Sequence, residues 1–462
     1  MTTTPLSDHN IILDTDSYKA SHFLQYPPGT EYLHSYLESR GGRYPATRFF
    51  GLQYILKRYL SVRVTREMVE EARNLIEGHG EPFPLSGWQR VVEVHGGRLP
   101  LRVRAVPEGT LVPFRNALMT VTNTDPALPW LVGWFETMLM RVWYPTTVAT
   151  LSYHLKGIIR EALERTCEQP EAELPFKLHD FGSRGVSSRE SAGLGGLAHL
   201  TNFMGTDTLE ALRVGRNYYG AEMASYSIPA AEHSTVTSWG KAGEVDAYRN
   251  MLRQFGKPGA TLAVVSDSYD LKNAIVNLWG GELRQEVIDS GATVVIRPDS
   301  GEPAAMVRLA VNALASRFGT TTNPLGYRVL NNVRVIQGDG IDEESIREIL
   351  QAVIQDGFSA ENVGFGMGGG LLQMVNRDTQ RFAYKASAAL INGEYRPIYK
   401  DPVTDPGKRS KDGVLDLVLE NGRYLTRAYQ TFDTDFPGSA MREVFRDGEL
   451  LVEDTLEDVR GR

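Results

Sequence analysis

The sequence contains a single cysteine, Cys167, among 462 residues. One cysteine excludes an intramolecular disulfide and a Cys-x-x-Cys metal site, and it is typical of a reducing cytoplasm. The chain also lacks an excess of positive charge, since its formal net charge at pH 7 is -8. A general nucleic-acid-binding protein usually presents a basic face, so that class is disfavoured, whereas a local basic cluster for a small anionic ligand is still compatible.

Long hydrophobic runs are missing as well. The most apolar stretch, residues 128–145, contains Glu136 and Arg141, and it is too short to cross a bilayer with those charges inside it. The N-terminus shows no basic segment followed by an apolar core, so a secretory signal is not expected. These absences predict a cytoplasmic protein that binds neither nucleic acid nor membrane.

What the sequence does contain is a recurring pattern from about residue 261 onward. A short apolar run, a polar or glycine-rich turn and an amphipathic helix follow one another in units that begin with TLAVVS, ATVVIR, VRVIQ and NVGFG. Continuous apolar strands that alternate with helices indicate a parallel sheet covered on both faces. PFKLHDFG and SYSIPAAEH fit as earlier strands of the series, and six such units favour a (β/α) barrel-like domain.

The regions flanking these units show a different pattern. Residues 97–114 and 413–427 alternate between apolar and polar side chains with period two, and Asn421-Gly422 favours a tight hairpin turn. We therefore predict an α/β fold with two domains. Residues 166–385 form the barrel-like domain, and residues 1–165, completed by 386–462, form a mostly antiparallel α+β domain.

In a β/α barrel the chemistry lies where strands end and loops begin. Six successive strand ends carry polar or glycine-rich residues, and this rule collects Phe181, Arg184, His233, Ser266, Asp270, Arg297, Asp299, Gly338, Asp339 and the glycines of 366–370. Gly364, Gly366 and Gly369 match the GxGxxG pattern, but the motif comes last in the series and has no acidic residue about 20 positions later. A phosphate bound at the mouth of a helix is therefore favoured over a dinucleotide.

Charged residues suggest what else the ligand carries. A basic cluster further along the chain predicts a site for a second phosphate group, and its members are Lys385, Lys400, Lys408, Arg409 and Lys411. Asp270, Asp299 and Asp339 suit ribose hydroxyls or Mg²⁺, which prefers oxygen ligands. Two phosphate sites, a diol and an aromatic residue together describe a phosphoribosyl-type ligand.

Several long motifs resemble those of the nicotinamide phosphoribosyltransferase family. The similar segments run from about residue 10 to residue 411, and they include DTDSYKASHFLQYPPGT, KLHDFGSRGVSS, PAAEHST, IRPDSG, VIQGDG, FGMGGGLLQ and DPVTDPGKRSK. The resemblance implies a dimeric type II phosphoribosyltransferase built on a β/α barrel. Its reaction transfers phosphoribose from phosphoribosyl pyrophosphate to nicotinamide and releases pyrophosphate, which serves NAD salvage.

The resemblance also implies roles for individual residues in the base and ribose pocket. Phe181 would stack on one face of the pyridine ring, and Tyr18 of the partner subunit would cover the other face. Arg297 and Asp207 would address the carboxamide. The residues implied for the ribose are Asp299, Gly338 and Asp339.

Phosphate contacts, metal and activator follow from the same resemblance. Gly368 and Gly369, with Arg40, Arg377 and Lys385 from the second chain, would bind phosphate. Lys400 and Lys408 would lie near the pyrophosphate. Mg²⁺ would enter with the pyrophosphate, with Asp270 and Asp299 as candidate ligands. His233 would be phosphorylated by ATP, which acts as an activating co-substrate.

Three alternatives stay open from the sequence alone. A nicotinate phosphoribosyltransferase would share the fold, but its anionic substrate would need a cation or a hydroxyl at the position of Asp207. An NAD-dependent oxidoreductase would use the glycine motif as a dinucleotide turn, which its late position disfavours. A binding protein that has lost activity would not need the complete set of Asp, Arg, His and Lys side chains.

Overall fold

The structure is a computed structural model that describes residues 6–7, 9–404, 409–432 and 436–462. The chain separates into two compact units. Unit 1 comprises Met1–Thr150, Tyr218–Gly220 and Asn376–Arg462, and unit 2 comprises Leu151–Asn217 and Ala221–Val375. The predicted boundaries lie 15 and 10 residues further along the chain. The first of them differs because the long helix Trp143–Thr166 carries no sequence break where unit 1 ends.

The strands are numbered in chain order. They are β1 (Thr30–Ser39), β2 (Ala46–Arg48), β3 (Leu101–Ala105), β4 (Leu111–Pro113), β5 (Ala117–Asn123), β6 (Leu178–Asp180), β7 (Gly205–Thr206), β8 (Thr261–Val265), β9 (Thr293–Arg297), β10 (Thr320–Thr322), β11 (Arg328–Leu330), β12 (Val333–Gln337), β13 (Val363–Met367), β14 (Phe382–Ile391), β15 (Glu394–Pro397), β16 (Val414–Glu420), β17 (Arg423–Tyr429), β18 (Arg442–Arg446) and β19 (Glu449–Leu450).

The helices are numbered in the same way. They are α1 (Leu52–Ile55), α2 (Arg66–His79), α3 (Leu85–Glu93), α4 (Leu131–Trp134), α5 (Glu136–Met140), α6 (Trp143–Thr166), α7 (Pro170–Glu173), α8 (Arg189–His199), α9 (Leu209–Tyr219), α10 (His233–Thr237), α11 (Glu244–Phe255), α12 (Leu271–Asn273), α13 (Arg284–Ser290), α14 (Pro303–Phe318), α15 (Glu343–Gln355), α16 (Gly369–Leu372) and α17 (Leu456–Gly461). Short 3₁₀ or π segments cover Ile11–Leu13, Ser17–Leu24, Leu56–Leu60, Leu174–Phe176, Lys241–Gly243, Ala274–Glu282, Ala360–Asn362 and Arg377–Thr379.

Unit 2 is built on a curved parallel sheet. Its six strands pair in the order β7-β6-β13-β12-β9-β8. Single parallel bridges join Gly205 to Tyr226 and Ala230 to Ala263, so residues 226–230 lie between the two edge strands and complete a ring. The inside of the ring is apolar where Ala263, Val295 and Ile336 pack together. The predicted barrel-like domain is confirmed.

The prediction of one strand of this ring is wrong. SYSIPAAEH, residues 225–233, forms only the two bridges and no continuous ladder. Pro229 has no backbone N–H to donate, although its carbonyl accepts from the Ala263 amide at 2.9 Å. The segment still runs along the ring, so His233 follows it at the same edge as the ends of true strands.

Local sequence explains why the barrel helices begin where they do. Glu302 accepts from the amides of Ala304 and Ala305, and Pro303 occupies the first helical position of α14, where its missing N–H costs nothing. Asp342 and Ser345 form a reciprocal capping box at the start of α15. These caps fix the point at which the loops after β9 and β12 end.

Unit 1 contains the two chain ends, as predicted. Its main sheet is antiparallel, with strand order β15-β14-β1-β5-β3-β18-β19. β16 and β17 form the predicted hairpin, in which Asn421 and Gly422 both have positive φ, at 50° and 74°. This backbone suits the right-handed twist of a two-residue hairpin.

A buried acid anchors the C-terminal segment of unit 1. Glu108 accepts from the Gln53 amide at 2.6 Å and from the Tyr219 hydroxyl at 2.8 Å. Arg462 donates to the Glu108 carbonyl at 2.8 Å and to Asp454 at 2.8 Å. Burial raises the pKa of Glu108 to about 7, because the charged form loses its hydration.

Candidate active site

The parallel strands of unit 2 bring most of the predicted residues to one edge. Because all strands of the ring run in the same direction, their carboxyl ends meet there. The side chains and glycines that follow these ends are Phe181, Asp207, Asp267, Arg297, Asp299, Gly338, Gly368 and Gly369. We call this edge the ring-end site.

Phe181 forms the floor of the ring-end site. Its amide donates to the Met367 carbonyl at 3.0 Å, which ties it to the neighbouring strand. A β-carbon at Gly366 would lie 1.9 Å from the Phe181 ring, and one at Gly338 would lie 3.3 Å from it. Glycine is therefore required at Gly366 so that the aromatic ring can lie across the strand.

A cation and a carboxylate stand beside this ring. The Arg297 guanidinium carbon lies 5.8 Å from the centre of the Phe181 ring. The Arg297 Nη2 and Nε atoms donate to Asp299 Oδ1 at 2.7 Å and 3.1 Å. The ion pair holds the guanidinium at the edge of the aromatic surface, an arrangement that suits a flat polar ring.

Asp267 supports this pair from below and was not among the predicted site residues. Its Oδ2 accepts from the Asp299 amide at 2.8 Å and from the Ser300 hydroxyl at 2.5 Å. Its side chain is 4% exposed, and its Oδ1 is buried without a hydrogen-bond partner among the described residues. The strand-end rule would have found Asp267, since it follows directly after Ser266.

His233 lies over the same carboxylates. It is the first residue of α10, where Glu232 and Thr235 form a capping box. Its Nε2 lies 3.4 Å from Asp299 and 3.7 Å from Asp267, and its Nδ1 lies 3.1 Å from the Ser268 hydroxyl. With 46% of the side chain exposed, the imidazole is oriented from both nitrogens and accessible from outside.

Asp207 is exposed after β7 and is not a helix cap. Its Oδ1 accepts from the Ser227 hydroxyl at 2.8 Å, whereas the Thr208 amide donates to Thr206 at 2.9 Å. Asp180, another residue that sequence reasoning missed, is fully buried next to Phe181. It accepts from the Gly182 amide at 2.7 Å, and burial raises its pKa.

Four further predicted residues follow strand ends at the same edge. The Ser266 hydroxyl is buried, donates to the Val264 carbonyl at 2.9 Å and accepts from the Trp279 indole at 3.1 Å, so it supports the loop. Asp270 caps α12 through the Asn273 amide at 2.9 Å. Arg184 and Asp339 are exposed in the turns after β6 and β12.

The glycine turn ends the ring at β13. Gly368 is the N-cap residue of the short helix α16, and Gly369 is its first residue. The amides in the first turn of a helix have no partner within the helix. They are free to donate to a phosphate, provided that no side chain covers them, and glycine has none.

Unit 1 carries a basic cleft of about 950 Å³. Its charged lining consists of seven basic and four acidic side chains, namely Arg40, Arg115, Arg377, Arg381, Lys385, Arg409 and Lys411 with Glu38, Glu136, Asp378 and Asp412. In a chain with a net charge of -8, this is a local reversal of sign. It suits a small anion with several charges.

Three residues predicted for phosphate, Arg40, Arg377 and Lys385, line this basic cleft together. Burial lowers the pKa of Lys385, and the neighbouring cations Arg40, Lys400 and Arg377 lower it further. Such mutual repulsion among cations is relieved when an anion binds.

Lys400 and Tyr18 are not among the residues that line the cleft. Lys400 is exposed, and its amide donates to the Ser410 hydroxyl at 2.9 Å. Tyr18 is 56% exposed on the segment Ser17–Leu24, next to Lys19, which pairs with Glu136 at 2.7 Å. Lys408 lies outside the described residues.

The described ranges contain no group of three or more His, Cys, Asp or Glu side chains arranged to hold a metal ion. None of their helices has the length and apolar character needed to cross a membrane.

Comparisons with known proteins give consistent results. The sequence profile of the nicotinate phosphoribosyltransferase (NAPRTase) family matches residues 176–449, and that of the nicotinamide phosphoribosyltransferase N-terminal domain matches residues 10–103. The chain is 55% identical to the nicotinamide phosphoribosyltransferase of Xanthomonas campestris pv. campestris, over 98% of this chain and 97% of that protein. It is 31% identical to the enzyme of the same name from Acinetobacter baylyi, over 97% and 95%.

Solved structures show the same fold at low sequence identity. The nicotinate-nucleotide pyrophosphorylase of Pyrococcus furiosus matches with a TM-score of 0.64 and 15% identity, over 100% of this chain and 96% of that chain. Human nicotinic acid phosphoribosyltransferase matches with a TM-score of 0.52 and 18% identity, over 97% and 92%.

Proposed function

The chain belongs to the nicotinamide phosphoribosyltransferase family, and we propose that its ring-end site and its basic cleft bind different parts of the substrates of one reaction. The activity is that of the family: phosphoribose passes from phosphoribosyl pyrophosphate to nicotinamide. The products are nicotinamide mononucleotide and pyrophosphate, and the reaction serves NAD salvage.

The observation that carries the assignment of the base site is the aromatic floor at Phe181. Its ring lies against Gly366, with the Arg297 cation beside it. A pyridine ring stacks on such a floor, and Arg297 donates to the carboxamide oxygen. Asp207, on the neighbouring strand end, accepts from the carboxamide NH₂.

The chemistry needs positioning more than proton transfer. The bond between the anomeric carbon and the pyrophosphate oxygen breaks, and the leaving pyrophosphate takes the electron pair. The pyridine nitrogen already carries a lone pair and forms the new bond, so no base has to deprotonate it. The residues must align the nitrogen and stabilise the negative charge that leaves.

The ribose and its phosphate use the remaining groups of the ring-end site. Asp299, Gly338 and Asp339 bind the ribose hydroxyls, and the amides of Gly368 and Gly369 bind the phosphate. Mg²⁺ neutralises the pyrophosphate when it is bound. Its two candidate ligands are Asp270, whose Oδ1 accepts from the Asn273 amide, and Asp299, whose Oδ1 accepts from Arg297, so each would offer its second carboxylate oxygen to the ion.

His233 accepts a phosphoryl group from ATP in this proposal. Support comes from its exposure and from the carboxylates of Asp267 and Asp299 that face Nε2. An imidazole oriented in this way is a suitable nucleophile for phosphoryl transfer. Phosphorylation raises catalytic efficiency without being obligatory.

A homodimer completes the site in this proposal. The partner's Tyr18 covers the second face of the pyridine ring, and the partner's basic cleft supplies Arg40, Arg377 and Lys385. Support comes from the location of these residues in unit 1, where they are accessible to a ligand held by another chain. A twofold arrangement places two such shared sites at one interface.

Product analysis tests the proposed function. Purified protein is incubated with nicotinamide, phosphoribosyl pyrophosphate and Mg²⁺, with and without ATP. We expect nicotinamide mononucleotide and pyrophosphate in equal amounts, and faster turnover with ATP. No nucleotide product in either reaction would refute the proposal.

A further inference from the structure

Two arginines in the described chain adopt a backbone conformation that arginine rarely adopts. The non-glycine residues with positive φ are Arg115 (62°), Asn332 (62°), Arg381 (48°), Asn392 (51°), Asn421 (50°) and Asp447 (49°). Asn and Asp tolerate this region, because their short polar side chains fit it, whereas arginine pays a steric penalty. Both arginines line the basic cleft.

Strand pairing explains how these arginines come together. β1 lies between β14 and β5, with Ser39 opposite Phe382 and Glu38 opposite Ala117. Because both neighbours are antiparallel to β1, the residues just before β14 and β5 lie beside the end of β1. Arg381 directly precedes β14, and Arg115 lies two residues before β5.

Backbone hydrogen bonds fix both positions. The Arg115 amide donates to the Ser39 carbonyl at 2.6 Å, and the Arg40 amide donates to the Arg381 carbonyl at 3.2 Å. Arg40, Arg115 and Arg381, from three segments of the chain, therefore lie at one corner of the sheet. A strained backbone that is fixed by hydrogen bonds in this way indicates that the two arginines have a function at this position.

Arg115 and Arg381 are not paired with the carboxylates that line the basic cleft. The buried carboxylate of Glu38 is already shared by Arg40, at 3.2 Å, and by Lys411. Arg115 and Arg381 are exposed, and within the described residues neither guanidinium has an ion pair or a side-chain hydrogen bond. An external anion is the partner that this arrangement lacks.

We propose that Arg115 and Arg381 bind the pyrophosphate group of the ligand in the basic cleft. The proposal rests on the proposed function and adds two residues to those that the family resemblance implies. Pyrophosphate is favoured over a single phosphate because the seven cations of the cleft outnumber its four carboxylates by three, an excess larger than the charge of a monophosphate dianion. A planar guanidinium donates to two phosphate oxygens at once, which makes arginine the suitable residue here.

The test uses substitutions that do not strain the backbone at positive φ. Arg115→Asn and Arg381→Asn remove the cation, and asparagine tolerates positive φ, so the fold should be retained with an unchanged or higher melting temperature. Arg63→Asn is the matched control, because Arg63 is an exposed arginine of unit 1 outside the cleft. Arg115→Gly and Arg381→Gly serve as second variants if an asparagine variant does not fold.

Binding is measured by titration calorimetry of the full-length protein with two probes, Mg²⁺-pyrophosphate and ribose 5-phosphate. We expect each cleft variant to bind pyrophosphate roughly 3–30-fold more weakly, the range for one charge-assisted contact that is partly exposed. Ribose 5-phosphate binding and the Arg63→Asn control should stay within about twofold of the wild type, since neither involves the lost cation.

Three results would overturn the inference. These are pyrophosphate affinity within twofold of the wild type in both variants, a loss confined to ribose 5-phosphate, and an equal loss in Arg63→Asn. Failure of the proposed function is seen separately, because it would appear as a wild-type protein that forms no nicotinamide mononucleotide.

Discussion

Adding one methyl group at Gly366 should displace the aromatic floor of the ring-end site. The new β-carbon would lie 1.9 Å from Phe181 Cε2, whereas ordinary contacts begin at 3.4 Å, so the ring has to retreat by about 1.5 Å. The Phe181 amide is tied to the Met367 carbonyl at 3.0 Å, so the ring must rotate rather than shift with its backbone. Gly366→Ala therefore changes the tilt of the surface on which nicotinamide stacks.

The magnitude follows from two effects. Overpacking a buried site costs about 1–3 kcal/mol of stability. A misplaced floor loses an aromatic contact of about 0.5–1.5 kcal/mol and the alignment of the pyridine nitrogen, which together should lower kcat/KM for nicotinamide at least about tenfold.

Gly364→Ala is the matched control for this prediction. It adds the same methyl group two residues earlier on β13, where the nearest atom, Ile336 Cγ1, lies at 3.9 Å. Steady-state kinetics with nicotinamide varied, together with chemical unfolding, should show a defect in Gly366→Ala and little change in Gly364→Ala.

A double-mutant cycle with Phe181→Ala sharpens the test. If the methyl group acts through the ring, its effect on kcat/KM should shrink once the ring is absent. Normal kinetics in a folded Gly366→Ala enzyme, or equal defects in both alanine variants, would refute the placement of Phe181 under the base.

Three further predictions concern acid, histidine and assembly. The pKa of Glu108 is 4.5 as a free group and about 7 in the folded protein, so the folded state keeps the proton to a higher pH than the unfolded state does. The stability that this proton contributes is fully present below pH 4.5 and is lost as pH rises through 7. Unfolding free energies from pH 5 to 8 should therefore fall more steeply in the wild type than in Glu108→Gln, by up to about 3 kcal/mol, and equal slopes would contradict this. Labelled ATP should give an acid-labile phosphoprotein that His233→Ala abolishes, and full labelling of the variant would exclude His233. Mixing inactive Tyr18→Ala chains with inactive Asp299→Ala chains should restore part of the activity, whereas no recovery despite subunit exchange would place each site within one chain.

The sequence was most informative where one physical rule acts alone. Apolar runs such as TLAVVS became β8, and Asn421-Gly422 became the hairpin turn, because burial and positive φ each select few residue types. The run at 225–233 failed as a strand because Pro229 breaks the ladder, which a count of apolar residues does not register.

The glycine motif shows a limit of pattern reading. Gly366 was grouped with the phosphate turn, yet the structure explains it by the Phe181 ring that lies over it. Those two residues are 185 positions apart, so only the pairing of β6 with β13 brings them together. Asp180 was missed for a related reason, since its role depends on a hydrogen bond from Thr206 on the neighbouring strand β7.

The choice between nicotinamide and nicotinate tests the account most directly. Asp207 accepts from Ser227 at 2.8 Å and has its second oxygen available for the carboxamide NH₂. A carboxylate substrate would offer no donor and would repel Asp207 by about 1–4 kcal/mol. Discrimination of at least roughly a hundredfold is expected.

The measurement is kcat/KM for both bases in the wild type and in Asp207→Ser. Serine removes the charge, and the structure shows no helix cap that would be lost with it. The account predicts a strong preference for nicotinamide in the wild type, which Asp207→Ser reduces by losing nicotinamide efficiency and gaining use of nicotinate at a similar melting temperature. A wild type that prefers nicotinate, or unchanged selectivity in a well-folded Asp207→Ser enzyme, would contradict it.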